Sequence, residues 1–209
     1  MPELDHLIVA SPDLEEGIAH IEALTGARAV AGGPHPGMGS HNALLTFDHT
    51  TYFEVIAIDP NQPDPKRPRP FDLDNAVGPR LAGYAIHPAP GESLEQVAEQ
   101  MRTVGIDPGQ VMSMSRVKPD GDELHWRLTN TPGPRPAVAT VPFVIDWGGG
   151  SSPAASLPSM GSLLSLQVTN PDGAIRSALD SLGLAIQTVD GAPGLVAVVE
   201  TARGRVEIS

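Results

Sequence analysis

Leu4-Asp5-His6-Leu7-Ile8-Val9-Ala10-Ser11-Pro12-Asp13 and Leu163-Leu164-Ser165-Leu166-Gln167-Val168-Thr169-Asn170-Pro171-Asp172 share one design. Each is a short strand-like apolar run that closes on a polar residue, a proline and an aspartate. In the first copy Ser11 is placed as a helix N-cap, with Pro12 at the first helical position. Leu14, Ile18, Ile21 and Leu24 follow at spacings of four and three, which is one helical face, and Gly26 stops it. In the second copy Asn170-Pro171-Asp172 starts a helix whose face is Ile175, Leu179 and Leu182, ended by Gly183.

Working outward from these stretches, the same order appears three times. After the first helix come strands at 28–31, 42–47 and 51–58, with a glycine- and proline-rich loop at 32–40 and a tight turn at Asp48-His49-Thr50. A middle copy has a strand at 82–87 and a helix at 93–104 with Leu94, Val97, Ala98 and Met101 on one face. Its strands lie at 111–117, 123–129 and 140–147. The last copy ends in strands at 186–189, 195–201 and 205–208. The reading is an α+β protein of three β-α-β-β-β units at 1–58, 81–148 and 161–209. A linker with six prolines at 59–80, expected to run over the surface and across the cavity, and a Gly/Ser/Pro linker at 149–160 join them.

Composition narrows the function. In 209 residues, 13 Lys and Arg against 25 Asp and Glu leave a net charge of −12, which argues against nucleic acid or an anionic membrane as partner. With no cysteine there are no disulfides, thiolate metal sites or cysteine nucleophiles. The acidic start, without a long apolar run, is expected to be neither signal peptide nor anchor, and a cytoplasmic location is the default.

Several stretches resemble the glyoxalase-like domain family of the vicinal oxygen chelate superfamily. They are Gly39-Ser40-His41-Asn42-Ala43-Leu44-Leu45, Tyr52-Phe53-Glu54-Val55-Ile56-Ala57, Leu124-His125-Trp126-Arg127-Leu128 and Pro142-Phe143-Val144-Ile145-Asp146-Trp147, with the opening Leu4-Asp5-His6. The resemblance implies a cupped mixed sheet around a small-molecule cavity. The superfamily holds lyases, isomerases, ring-cleaving dioxygenases and drug-sequestering proteins, so the fold does not fix the reaction.

Alternation along a strand sorts side chains onto two faces. Leu7, Val9, Phe53 and Val55 are expected to cover the helix, and His6 and Glu54 to face the cavity. The family's strand order makes His6 and Glu54 neighbours, at positions where metal-binding relatives carry ligands. Glu207 corresponds to Glu54 in the third unit, and Ser165 to His6. In the second unit Gly83 falls near the His6 position and Phe143 or Ile145 near Glu54, so a complete two-His, two-carboxylate set is missing. The expected metal set is therefore His6, Glu54 and Glu207 around a divalent Zn, Mn, Fe or Ni, with a metal-free site the equal alternative. Glu54 and Glu207 are the candidate catalytic carboxylates. His41, Asn42, Arg116 and Trp126 are the expected substrate contacts, His41 and Asn42 preferred over His35, with Arg116 or Arg127 clamping a carboxylate. The function expected is a glyoxalase-like lyase, isomerase or oxygenase acting on a small oxygenated molecule; the alternative is a non-catalytic binder. A small-molecule ligand is the expected partner, and a second copy of the chain an allowed one.

Overall fold

The structure, a computed structural model, describes residues 1–117, 121–131, 136–150, 152–170 and 172–209. Pro171, within the expected helix start at 170–172, lies outside the described residues. The first unit comprises β1 (Glu3–Ser11), α1 (Leu14–Thr25), β2 (Val30–His35), β3 (Ser40–Thr46) and β4 (Tyr52–Ile58). The second comprises β5 (Arg80–His87), α2 (Leu94–Thr103), β6 (Gln110–Val117), β7 (Glu123–Asn130) and β8 (Phe143–Asp146). The chain closes with β9 (Ser162–Thr169), α3 (Gly173–Ser181), β10 (Gln187–Val189), β11 (Gly194–Thr201) and β12 (Gly204–Ile208). Among the described residues no helix is long and apolar enough to cross a membrane.

The fold is α+β. The first two units share one curved eight-stranded sheet in the order β2-β3-β4-β1-β5-β8-β7-β6. Within each unit the first strand runs parallel to the fourth, β1 beside β4 and β5 beside β8. The units join through the antiparallel pair β1–β5. Leu7, Val9, Phe53, Val55, Tyr84 and Ile86 form one core with Ile18 and Ile21 of α1 and Leu94, Val97 and Met101 of α2. The helices therefore cover one face of the sheet and leave the other to line a cavity.

Local chemistry moved some boundaries. Asp13, not Ser11, caps α1: its carboxylate accepts from the Glu16 N–H at 2.9 Å. Ser11 still belongs to β1 and donates its hydroxyl to the Asp13 carbonyl. β2 runs on to His35, so the expected loop at 32–40 shrinks to a turn at 36–39. Gly32 is an extra residue there, since Ala31 faces Ala43 while Gly33 already faces Asn42.

The last segment repeats the element order with a different pairing. β9 lies between β10, parallel to it, and β11, antiparallel, while β12 pairs with β11 at the edge of the four-stranded sheet. A tight hairpin at Thr201–Gly204 then holds β12 on the outer edge. The inner face of this small sheet, with Leu166, Val168, Leu195, Ala197 and Val199, packs into the helix-side core.

The first helix lies close to the sheet because residue 17 has no side chain. A Cβ on Gly17 would stand 2.5 Å from Val55 Cγ1 and 2.9 Å from Ser11 Cβ. Helix propensity alone favours alanine there by about 1 kcal/mol. Overpacking should win, so Gly17→Ala is expected to lower the unfolding free energy by about 1–3 kcal/mol in urea titrations. A gain in stability would contradict this packing.

Candidate functional site

The site begins with an irregularity in β1. Leu4 faces Ile86 of β5 and His6 faces Ala85, so Asp5 is an extra residue. The bulge turns Asp5 and His6 to the same side, while Leu4 packs with the helix-side core. His6 Nδ1 lies 2.6 Å from Asp5 Oδ1. Trp147, at the end of β8, donates its indole N–H to Asp5 Oδ2 at 3.0 Å. Asp5 and His6 are both almost fully buried, 1% and 2% exposed. An acceptor-only carboxylate beside Nδ1 assigns the proton to that nitrogen in the neutral ring. The Nε2 lone pair then faces the cavity. The Tyr52 ring stacks on His6 at 4.4 Å, and Phe143 meets it edge-on at 5.6 Å, so the imidazole is held from both sides.

Glu54 is reached from three directions. His6 Nε2 lies 3.5 Å from Oε2, Asn42 donates to Oε1 at 2.6 Å, and His35 Nε2 lies 3.5 Å from Oε1. His35 Nδ1 is 3.0 Å from Ser40 Oγ. Arg116 reaches in from β6, on the far edge of the sheet, and donates to Asn42 Oδ1 at 3.3 Å. A side chain on Gly32 would collide with Asn42 and Arg116, and a Cβ on Gly33 would sit 2.9 Å from Arg116 Nη1. The glycine pair thus gives the guanidinium its passage beneath β2.

The cavity between these groups measures about 100 Å³. One wall is polar: His6, His35, Ser40, Asn42 and Glu54, with Arg116 at the seam. The opposite wall is apolar, formed by Met112, Met114, Trp126, Leu128, Phe143 and Ile145.

Burial sets the electrostatics. It holds the His35 imidazole below its usual value; Arg116 acts in the same direction, and Glu54 opposes both. Burial pushes the Tyr52 phenol well up, helped by the charges of Asp5 and Glu54. It also lowers the Arg116 guanidinium, against the pull of Glu54. Arg116 remains a cation. It donates to Asn42, and the residue is only 6% exposed.

The structure brings together His6, Glu54, Asn42, Arg116 and Trp126 on this cavity. It does not bring His41 or Glu207. His41 alternates with Asn42 and shares the face of Ala43 and Leu45, away from the cavity, while His35 takes the inward place. Glu207 is exposed on the edge strand of the small sheet, which packs on the helix side. The expected metal set is therefore not assembled. Among the described residues no three His, Cys, Asp or Glu side chains gather to hold a metal ion. His35 Nε2 and Glu54 Oε1 already face the Asn42 amide, and the Arg116 charge stands close by. The residues present do not fit a metal. Asp5 was hidden from the sequence by strict alternation, which sends it to the helix face.

His35 predicts a pH dependence. Its pKa lies below the ordinary 6.5, so below that pH the unfolded chain binds a proton that the folded protein resists. Its contribution is complete above pH 6.5 and is lost as pH falls toward the lower folded value. The charges of Glu54, Arg116, His41 and His6 act on it in wild type and variant alike. His35→Gln should lose less stability than wild type between pH 7.5 and 5 in urea titrations (about pH 5 lying below the ordinary histidine value). Equal losses would contradict the assignment.

The sequence matches the model of the glyoxalase-like domain over residues 4–183. No curated protein matches it. Among solved structures, a hypothetical protein from Staphylococcus aureus is similar at 13% identity and a TM-score of 0.62, over 100% of this chain and 99% of that one. A methylmalonyl-CoA epimerase from Mycobacterium tuberculosis matches at 17% identity and TM-score 0.40, covering 68% of this chain and 84% of that one. A Streptomyces coelicolor methylmalonyl-CoA epimerase in complex with 2-nitronate-propionyl-CoA gives 14% and 0.42, over 68% and 94%. The first similarity shows the fold alone, and the two epimerases carry no argument about the reaction.

Proposed function

Because the chain belongs to the glyoxalase-like domain family of the vicinal oxygen chelate superfamily, we propose that its cavity binds a small oxygenated anion and moves a proton on it without a metal. The observation that carries this reading is the buried Asp5–His6–Glu54 arrangement, with the Arg116 guanidinium beside it on Asn42. A carboxylate or enolate oxygen of the ligand accepts from Arg116, a charge-assisted bond that is strong in a site shielded from water. His6 takes a proton at Nε2 from carbon next to that oxygen-bearing group, and Asp5 steadies the resulting imidazolium. Glu54, placed within reach of the same nitrogen, relays the proton or returns it to another position. The reaction class is proton transfer next to a carbonyl, as in an isomerase or a lyase.

A second reading is supported by the other wall. Met112, Met114, Trp126 and Leu128 offer a surface on which an apolar molecule could simply be held. The two readings differ in one measurable quantity, the exchange of carbon-bound hydrogen.

Small 2-oxo and 2-hydroxy acids incubated with the protein in deuterium oxide are expected to lose in NMR spectra the signal of the C–H next to the carbonyl group, on C3 of the oxo acids and on C2 of the hydroxy acids. His6→Ala and Glu54→Gln should each slow exchange by about 10²–10⁴-fold while the proteins stay folded. Exchange that is indifferent to His6 would remove it from the chemistry. Binding without exchange by wild type would favour the holding role.

A further inference from the structure

The two halves of the cavity are built on matching bulges with opposite contents. In β1 the bulge carries Asp5-His6 between Leu4 and Leu7. In β5 it carries Ala82-Gly83 between Leu81 and Tyr84, since Ile8 faces Gly83 while Val9 faces Leu81. Gly83 thus stands where the second unit would repeat His6. The side-chain space of that position is not empty. A Cβ on Gly83 would stand 2.5 Å from Phe71 Cε1 and 3.3 Å from Cδ1 and Cζ. Phe71 comes from the proline-rich segment between the units, is 4% exposed, and packs with Ile8, Ala10, Ile56, Leu73 and Ala82.

The segment is fastened to present this ring. Phe71 and Asp72 both have left-handed backbone, φ +55° and +50°, which side-chain-bearing residues rarely adopt. Arg69 donates Nε to the Gly39 carbonyl at 2.9 Å and Nη2 to Asp64 at 2.7 Å, and it pairs with Asp74. Arg80 donates to the Phe71 carbonyl at 2.5 Å. The turn is thus held at both ends by buried or half-buried arginines.

We propose that Phe71 is the specificity-determining residue of the cavity: its ring fills the second unit's half of the cup and limits the ligand to a compact acid. This rests on reading the cavity as the ligand site. The acid's charged end meets Arg116 and Asn42, and its apolar remainder must end at the Phe71 ring. A cavity of about 100 Å³ is smaller than the roughly 150 Å³ that holds a benzene molecule. Cutting Phe71 back is therefore expected to give a phenyl-bearing acid room that the wild-type cup does not offer beside the ring.

The test measures binding of propionate and 3-phenylpropionate to wild type, Phe71→Ala and Phe71→Leu by calorimetry, and the shift in Tm that benzene causes in each. Wild type should prefer propionate. The affinity ratio of 3-phenylpropionate to propionate should rise about tenfold or more in Phe71→Ala, with Phe71→Leu between the two. Benzene should raise the Tm of Phe71→Ala and leave wild type unmoved. If neither acid binds any of the proteins but benzene stabilises Phe71→Ala alone, the ring's role as filler stands and the anion reading of the cavity falls. An unchanged ratio in Phe71→Leu, or a benzene response that is the same in wild type and variants, overturns the proposal. Phe71→Leu retains a branched apolar side chain, so the comparison survives if the alanine variant does not fold.

Discussion

One extra residue in the first strand governs the site. A regular β1 would send Asp5 into the helix-side core and leave His6 without a partner for Nδ1. Because Asp5 is bulged, both side chains turn to the cavity and meet at 2.6 Å. The cost of burying a carboxylate is then met by two donors, His6 and the Trp147 indole. Trp147 lies in the second unit, so the same carboxylate ties the two halves of the eight-stranded sheet together at the cavity floor. The tautomer of His6, the orientation of its free nitrogen and its distance to Glu54 all follow from this contact.

The bulge recurs, and its recurrence shows how the repeats diverged. β5 carries it at Ala82, and β9 carries it at Leu164, where Val198 faces Ser165 while Val199 faces Leu163. The backbone device is shared; the side chains on it are not. The first copy holds an acid and an imidazole, the second a space filled by Phe71, the third an exposed leucine. The chemistry is therefore one-sided: a polar wall from the first unit faces an apolar wall from the second. Among the described residues no three His, Cys, Asp or Glu side chains gather to hold a metal, and Glu54 is already bonded to Asn42, which accepts in turn from Arg116.

Much of this was legible in the sequence. The runs at 4–9, 51–58 and 82–87 announce strands by their apolar content. The helices show their faces through Leu14, Ile18, Ile21 and through Leu94, Val97, Met101. Alternation sufficed to set His6 and Glu54 on the face opposite the helices, and the structure places them 3.5 Å apart. What alternation cannot register is a bulge, since one extra residue reverses the parity of everything before it. That is why Asp5 escaped notice. The choice of His41 over His35 failed for the related reason that β2 continues through Gly32-Gly33, a pair that reads as loop but is kept bare to admit Arg116. Glu207 was misplaced because its position in a unit was inferred from element order. The third unit pairs its strands differently, and the β11–β12 hairpin leaves the last strand on an outer edge.

The central claim is that Asp5 holds the His6 proton on Nδ1 and leaves Nε2 free to act. Nitrogen NMR of the protein labelled in histidine rings, recorded above the histidine titration range, reads this directly. The account predicts that His6 shows a protonated Nδ1 with a strongly downfield, slowly exchanging proton and an unprotonated Nε2. In Asp5→Asn that proton signal should vanish and the tautomer should redistribute. A wild-type His6 that carries its proton on Nε2, or whose spectrum is unchanged in Asp5→Asn, would contradict the account.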